Sequence, residues 1–130
     1  MPLGQFDERR ILVGTDFLDD TFAAATYFST FTATNGDLRI DQFQIANNDT
    51  IPHTVWIAPL FGADSSRIAI IDVPAGAGSG SVPPVDALAF ISPTAFHYFV
   101  LAQGQHLYWA VGEAINAGKQ IVNYTTGGYF

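Results

Sequence analysis

The side chains able to do chemistry in this chain are few and scattered. Its three histidines, His53, His97 and His106, show neither His-x-His nor His-x-x-x-His spacing, and no carboxylates are spaced to join them as metal ligands. His97 and His106 can face each other across a turn at Gly104, but polar groups at strand ends are the plainer role for all three. Asp19 and Asp20 are adjacent, so in a strand they point to opposite faces, whereas glycoside hydrolysis needs two carboxyl groups on one cleft. The stretch Gly78-Ser79-Gly80-Ser81 lacks the spacing and the strand-to-helix context of a nucleophile elbow. No Gly-Lys-Ser/Thr follows it to make a phosphate loop. Asn47-Asn48-Asp49 is a fragment of a calcium loop and reads as a turn. Asn48-Asp49-Thr50 and Asn123-Tyr124-Thr125 match the glycosylation sequon, without a secretory signal to give it meaning. Cysteine is absent, which excludes disulfides and thiolate metal sites. The expectation is a non-enzymatic protein with no catalytic residue, no cofactor and no metal.

The aromatic residues leave two roles open. Trp56, Tyr108, Trp109 and Tyr124 at strand spacing make either a sugar-binding platform or core and subunit interface, and no cluster of Asp, Asn and Arg singles out a sugar. Composition favours interface. Charged residues make up 13% of the 130 residues and aromatic ones 14%, against a charged share near 25% in ordinary soluble domains. So little charge reads as a surface covered by other protein. Net charge is −7, and the basic residues are Arg9, Arg10, Arg39, Arg67 and Lys119. That is too few to neutralise a phosphate backbone, and an acidic surface discourages anionic membranes. Nucleic acid and membrane are therefore not expected partners. No apolar run is long enough to span a bilayer, and Met1 to Arg10 does not read as a Sec signal peptide.

The elements that must position these residues are strands. Thr26 to Thr34 is β-prone, and Asn35-Gly36 after it predicts a hairpin. In the next strand, Leu38 and Ile40 share one parity while Phe43 and Ile45 share the other. One bulge near Asp41-Gln42 turns all four inward. Further strands are predicted over His53–Phe61, with Pro59 marking an edge or an end, and over Arg67–Val73. Residues 74–84, rich in Pro, Gly and Ser, read as a long connection between sheets or as a loop reaching a neighbour. Residues 87–101 form two short strands divided by Pro93. His106–Glu113, with Leu107, Trp109 and Val111 alternating, and Lys119–Thr126 complete the set. The result is an all-β fold, an antiparallel β-sandwich or jelly roll of about seven or eight short strands. Residues 1–21 are expected as an N-terminal arm and 22–130 as a single sandwich domain.

The order Asn47-Asn48-Asp49-Thr50, Thr54-Val55-Trp56-Ile57, Ile70-Ile71-Asp72-Val73-Pro74-Ala75-Gly76, Val100-Leu101-Ala102-Gln103-Gly104-Gln105-His106-Leu107-Tyr108-Trp109-Ala110 and Ile121-Val122-Asn123-Tyr124-Thr125-Thr126-Gly127-Gly128 resembles small β-sandwich virion proteins of tailed bacteriophages. The stretch from Ala25 to Phe28 and from Phe43 to Asn47 is similar to that group's first hairpin. The resemblance covers roughly residues 22–130. It implies a structural or accessory protein of the particle: a capsid decoration (cement) protein, or a tail or fibre component. It supplies no catalytic residue. The leading expectation is a virion-located decoration protein whose partners are the major capsid protein and copies of itself, as trimer or dimer. The alternative is a tail, fibre or receptor-binding module that grips carbohydrate. The expected subunit or capsid contacts are Phe6, Phe17, Pro83, Pro84, Tyr129 and Phe130, and deletion of Gly127 to Phe130 is expected to weaken assembly more than folding.

Overall fold

The structure is a computed structural model that describes residues 11–34, 36–60, 69–91 and 99–129, with the backbone alone for residues 11–13, 59 and 60. Nine strands account for most of them: β1 (Ile11–Asp19), β2 (Phe28–Thr32), β3 (Leu38–Asn47), β4 (His53–Leu60), β5 (Ala69–Val73), β6 (Val85–Asp86), β7 (Phe99–Leu101), β8 (His106–Val111) and β9 (Gln120–Tyr129). They form two antiparallel sheets packed as a sandwich. The five-stranded sheet runs β1-β9-β3-β6, with β7 also on β3, and the four-stranded sheet runs β2-β8-β4-β5. No helix among the described residues is long and apolar enough to cross a membrane.

The sandwich follows from which side chains can face inward together. In β3, Leu38, Ile40, Phe43 and Ile45 are all buried although their parity changes midway. The change is absorbed where β3 advances from Ile40 to Gln42 while β9 advances only from Gly127 to Thr126. Asp41 is the extra residue of this bulge, as the parity argument requires. Across the core, Leu107, Trp109 and Val111 of β8 and Val55 and Ile57 of β4 meet this row. The Phe43 ring stands edge-on to Trp109 at 6.5 Å, a favoured aromatic geometry. Pro59 pairs with Leu107 of β8; the residues just before Ala69 lie outside the described residues.

Four sequence expectations change. Residues 11–19 are not an arm: β1 pairs with β9 from Ile11–Gly128 to Asp19–Gln120. Residues 1–10 lie outside the described residues. The segment around Gly36 is not a hairpin, because β2 and β3 belong to different sheets. A two-residue turn signal was overridden by the need of each strand's apolar face for the opposite sheet. Leu88–Ile91 is a turn of helix, α1, rather than a strand. Asp86 Oδ1 accepts the Leu88 N–H at 3.1 Å, and the Ile91 N–H bonds the Ala87 carbonyl, so the first turn is capped from the preceding residues. Finally, β9 runs on to Tyr129, past the expected end at Thr126. Residues 74–84 do connect the two sheets, from β5 to β6, in a chain of tight turns pinned by a Ser79–Val82 bridge.

Gly127 is a position in β9 where the ladder admits no side chain. A Cβ there would collide with the Arg39 carbonyl oxygen and sit 3.0 Å from Ile40 Cα, both backbone atoms of β3. Gly127→Ala is expected to lower stability by about 1–3 kcal/mol, the usual cost of overpacking, measured by urea unfolding. Gly118→Ala, which meets nothing within 4 Å but holds a φ of 77°, gives the cost of backbone strain alone for comparison.

Candidate functional site

The densest polar chemistry lies at the end of the sandwich where β3 passes to β4 and β8 passes to β9. Asn47, Asp49 and His53 are almost fully buried there. Asn47 Nδ2 donates to the carbonyls of Ile51 at 3.0 Å, Pro74 at 3.2 Å and Val73 at 3.4 Å, while its Oδ1 accepts the Asp49 N–H at 2.8 Å. One side chain thus ties the β3–β4 turn to the chain leaving β5. Asn48 Oδ1 accepts the Gln120 N–H at 2.7 Å and the Asn48 N–H returns a bond to the Gln120 carbonyl.

Asp49 is the hub. Its carboxylate accepts from the Thr50 N–H at 2.6 Å, the Asn116 N–H at 3.0 Å, Asn116 Nδ2 at 2.8 Å and His53 Nε2 at 2.8 Å. Burial works to raise its pKa, but the bonds from Asn116, His53 and Thr50 outweigh it and hold the carboxyl well below the ordinary range. On the other side of the imidazole, Glu113 Oε2 lies 3.5 Å from His53 Nδ1. Glu113 is itself fixed by the Thr54 N–H and Oγ1, both at 2.8 Å. Burial opposes these bonds, yet with His53 they lower its pKa as well.

An Asp–His pair of this shape can orient an imidazole for base catalysis, but the position facing the free ring nitrogen holds Glu113, which only accepts. The hydroxyl of the next residue, Thr54 Oγ1, donates to Glu113. Among the described residues no group of three or more side chains is placed to hold a metal ion. His106 Nδ1 bonds Thr32 Oγ1 at 2.7 Å, at the start of β8. His97 lies outside the described residues. Asn123 of the second sequon is fully buried and donates to Thr30 Oγ1 at 3.1 Å, which closes it to modification in the folded chain.

The four aromatics considered as a sugar platform are separated. Trp109 is core, Trp56 and Tyr108 lie on the outer side of the four-stranded sheet, and Tyr124, 49% exposed, stands on the outer side of the five-stranded one. The expected contact residues also disperse. Phe17 is 47% exposed on β1 and edge-packed on Phe22 at 6.4 Å. Pro83 and Pro84 are exposed in the β5–β6 connection. Tyr129 is half-buried against the core, and its hydroxyl donates to the Thr32 carbonyl at 3.3 Å. Gly127 and Gly128 pair with both β1 and β3, and Tyr129 pairs with β3, so deletion of Gly127 to Phe130 removes sheet pairs and is expected to lower stability as well as assembly. Phe6 and Phe130 lie outside the described residues.

What the topology does assemble is an uncharged face. On the outer side of the five-stranded sheet, register places Phe17, Val122 and Ala46 in one row and Thr15, Tyr124 and Gln44 in the next. Gln42 and Thr126 follow, bonded at 3.2 Å. Among the described residues charge returns at its margins, at Asp19 opposite Gln120, at Asp86 opposite Gln44 and at Arg39, which pairs with Asp41 at 3.1 Å. The sequence reading missed both this face and the Asp49 hub. The only local signal of the hub is His53 four residues after Asp49; Glu113 and Asn116 join from some sixty residues away. No family model, curated protein or solved structure matches the chain.

Proposed function

We propose that this chain is a non-enzymatic structural protein of a phage particle, a capsid decoration protein that oligomerises and bridges major capsid subunits. The observation that carries the reading is the uncharged outer face of the five-stranded sheet in a chain of net charge −7. Burying charge against a partner is costly unless each charge is paired. A protein with so many carboxylates that keeps one broad face free of them has a surface suited to lie against other protein. The phage-like order of motifs in the sequence supports the same reading.

Immunogold labelling of particles from the source lysate tests it. Gold spread over the heads is the expected result; gold on tails alone, or on no particle, overturns it. The face itself is tested by Phe17→Asp with Tyr124→Asp. Both side chains are about half exposed, so the thermal midpoint is expected to move by only a few degrees. Co-sedimentation with shells is expected to fall at least about tenfold, because two charges would be buried unpaired.

A second reading is favoured by one depression. Beside Tyr124, residues Asn48, Ser79, Gln120 and Val122 line a hollow of about 180 Å³. An exposed aromatic ring next to amides and a hydroxyl suits a polyhydroxylated ligand, in keeping with a tail or fibre module. Binding of host glycans by the isolated protein, lost in Tyr124→Ala, is the result expected from that reading and not from a decoration protein.

A further inference from the structure

The five-stranded sheet ends at β1, and among the described residues no strand lies beyond it. With 9 residues, β1 is longer than the strands that end the sheets elsewhere, which have 5 in β2, 5 in β5 and 2 in β6. We infer that the free edge of β1 is a self-association surface, where a second copy of this chain adds its own β1, antiparallel, about a two-fold axis at Val13. The inference stands on the geometry of the edge and holds whether or not the protein belongs to a virion.

In an antiparallel ladder, successive residues turn their N–H and C=O groups to alternate sides. Gln120 of β9 donates its N–H to Asn48 Oδ1, and its carbonyl accepts the Asn48 N–H, so its backbone faces β3. Its pair in β1, Asp19, therefore turns away from β9, and so do Phe17, Thr15, Val13 and Ile11. Local bonds agree with this parity. The Asp19 carbonyl accepts the Phe22 N–H at 3.1 Å, and Asp16 Oδ1 accepts the Phe17 N–H at 2.9 Å. The edge is thus partly occupied from Phe17 onward. From Ile11 to Thr15 no described strand, turn or loop takes the outward backbone groups.

This stretch fits a copy of itself. It is regular, since β1 runs against β9 without a bulge, and Ile11 to Thr15 contain no Lys or Pro. Those are devices by which natural edges are kept from pairing. It is also self-complementary in charge. Arg9 and Arg10 stand just before the strand in the sequence, and Asp16 and Asp19 stand near its end. Antiparallel pairing brings the start of each strand against the end of the other. With Val13 on the axis, Ile11 meets Thr15 of the second copy, and the next pair outward is Arg10 with Asp16. That pair is of the closer, non-hydrogen-bonded kind, in which opposite charges support a ladder. Asp7 and Glu8 fall past the paired stretch. The axis stands perpendicular to the sheet, so the two uncharged outer faces join into one. Main-chain bonds supply the attraction, as in other strand additions. A strand of different sequence would meet the same backbone groups without the charge match.

The test is sedimentation equilibrium of the intact protein at concentrations up to about 1 mM, because an edge contact lies at the small end of interfaces. A monomer–dimer equilibrium with a dissociation constant on the order of 100 μM is expected. Val13→Pro removes an outward N–H and no bond to β9. It is expected to weaken the dimer at least about tenfold, with the far-ultraviolet circular dichroism unchanged. Should the proline disturb β1 itself, charge reversal decides independently. Arg10→Asp and Asp16→Arg each set like charges opposite one another, and each is expected to weaken the dimer about threefold or more. The two reversals combined in one chain are expected to restore it. A protein that stays monomeric at the highest concentration overturns the proposal and leaves the edge to a strand of another protein. Dimers indifferent to the proline and to the single reversals place the contact elsewhere and overturn it as well. Failure of the combined reversal to restore the dimer overturns the pairing about Val13.

Discussion

Deletion of Asp41 is expected to abolish folding of the isolated chain, whereas Asp41→Ala, which keeps the length, is expected to change stability by less than about 1 kcal/mol. Asp41 is the extra residue of the β3 bulge and its side chain is exposed. Without it, β3 becomes a regular strand, and a regular strand cannot turn Leu38 and Ile40 to the same face as Phe43 and Ile45. One of the two pairs must then face solvent or be driven into the wrong sheet surface. All four are at most 1% exposed in the native chain. Exposing either pair costs about 3–6 kcal/mol from transfer alone, and the cavity left behind adds to it. That matches the whole stability of a typical domain. Far-ultraviolet circular dichroism and urea unfolding of the two variants provide the measurement. A cooperative, native-like transition in the deletion variant would sink the argument.

The second large effect belongs to Asp49. Asp49→Ala leaves the Thr50 and Asn116 N–H groups, Asn116 Nδ2 and His53 Nε2 without their acceptor. Removing one partner of a buried charged network costs about 3–5 kcal/mol. The same carboxylate sets a pH signature. Its folded-state pKa lies below the unfolded value of about 3.9. Its contribution is therefore complete above that pH and is lost as pH falls from there through the folded value, because over that interval the unfolded chain binds the proton and the folded one does not. Glu113, also lowered, acts with the same sign. Thermal midpoints of the native protein are expected to fall steeply below about pH 4. Asp49→Asn is expected to start lower at neutral pH and to show a shallower acid slope. Equal acid slopes for the two proteins would show that Asp49 is not the hub.

These two residues also mark how far the sequence could be read. The bulge was legible because it is a parity problem contained within ten residues: four apolar side chains, one buried face, one extra position. Leu107, Trp109 and Val111 were legible in the same way, since alternation within a strand is local. The Asn35-Gly36 signal misled because a turn sequence reports how the chain can bend, while the sheet a strand joins is decided by distant apolar faces. Leu88–Ile91 reads as strand from its side chains and becomes helix through the Asp86 cap beside it. The Asp49 hub was hidden because its donors come from two loops that only the finished fold brings together. Taken alone, Asn47-Asn48-Asp49 is indistinguishable from any polar turn.

The place of β9 carries a consequence for how the chain is made. It is the last of the nine strands among the described residues, yet it lies between β1 and β3 and supplies a partner for both. During synthesis the four-stranded sheet has all its members once β8 emerges. By contrast, β1 and most of β3 wait with open backbone edges until residues 120–129 arrive. An open edge is a template for pairing with another chain. A growing chain, or one cut short before residue 120, therefore offers its neighbours on a polysome the slot that its own final strand is meant to fill.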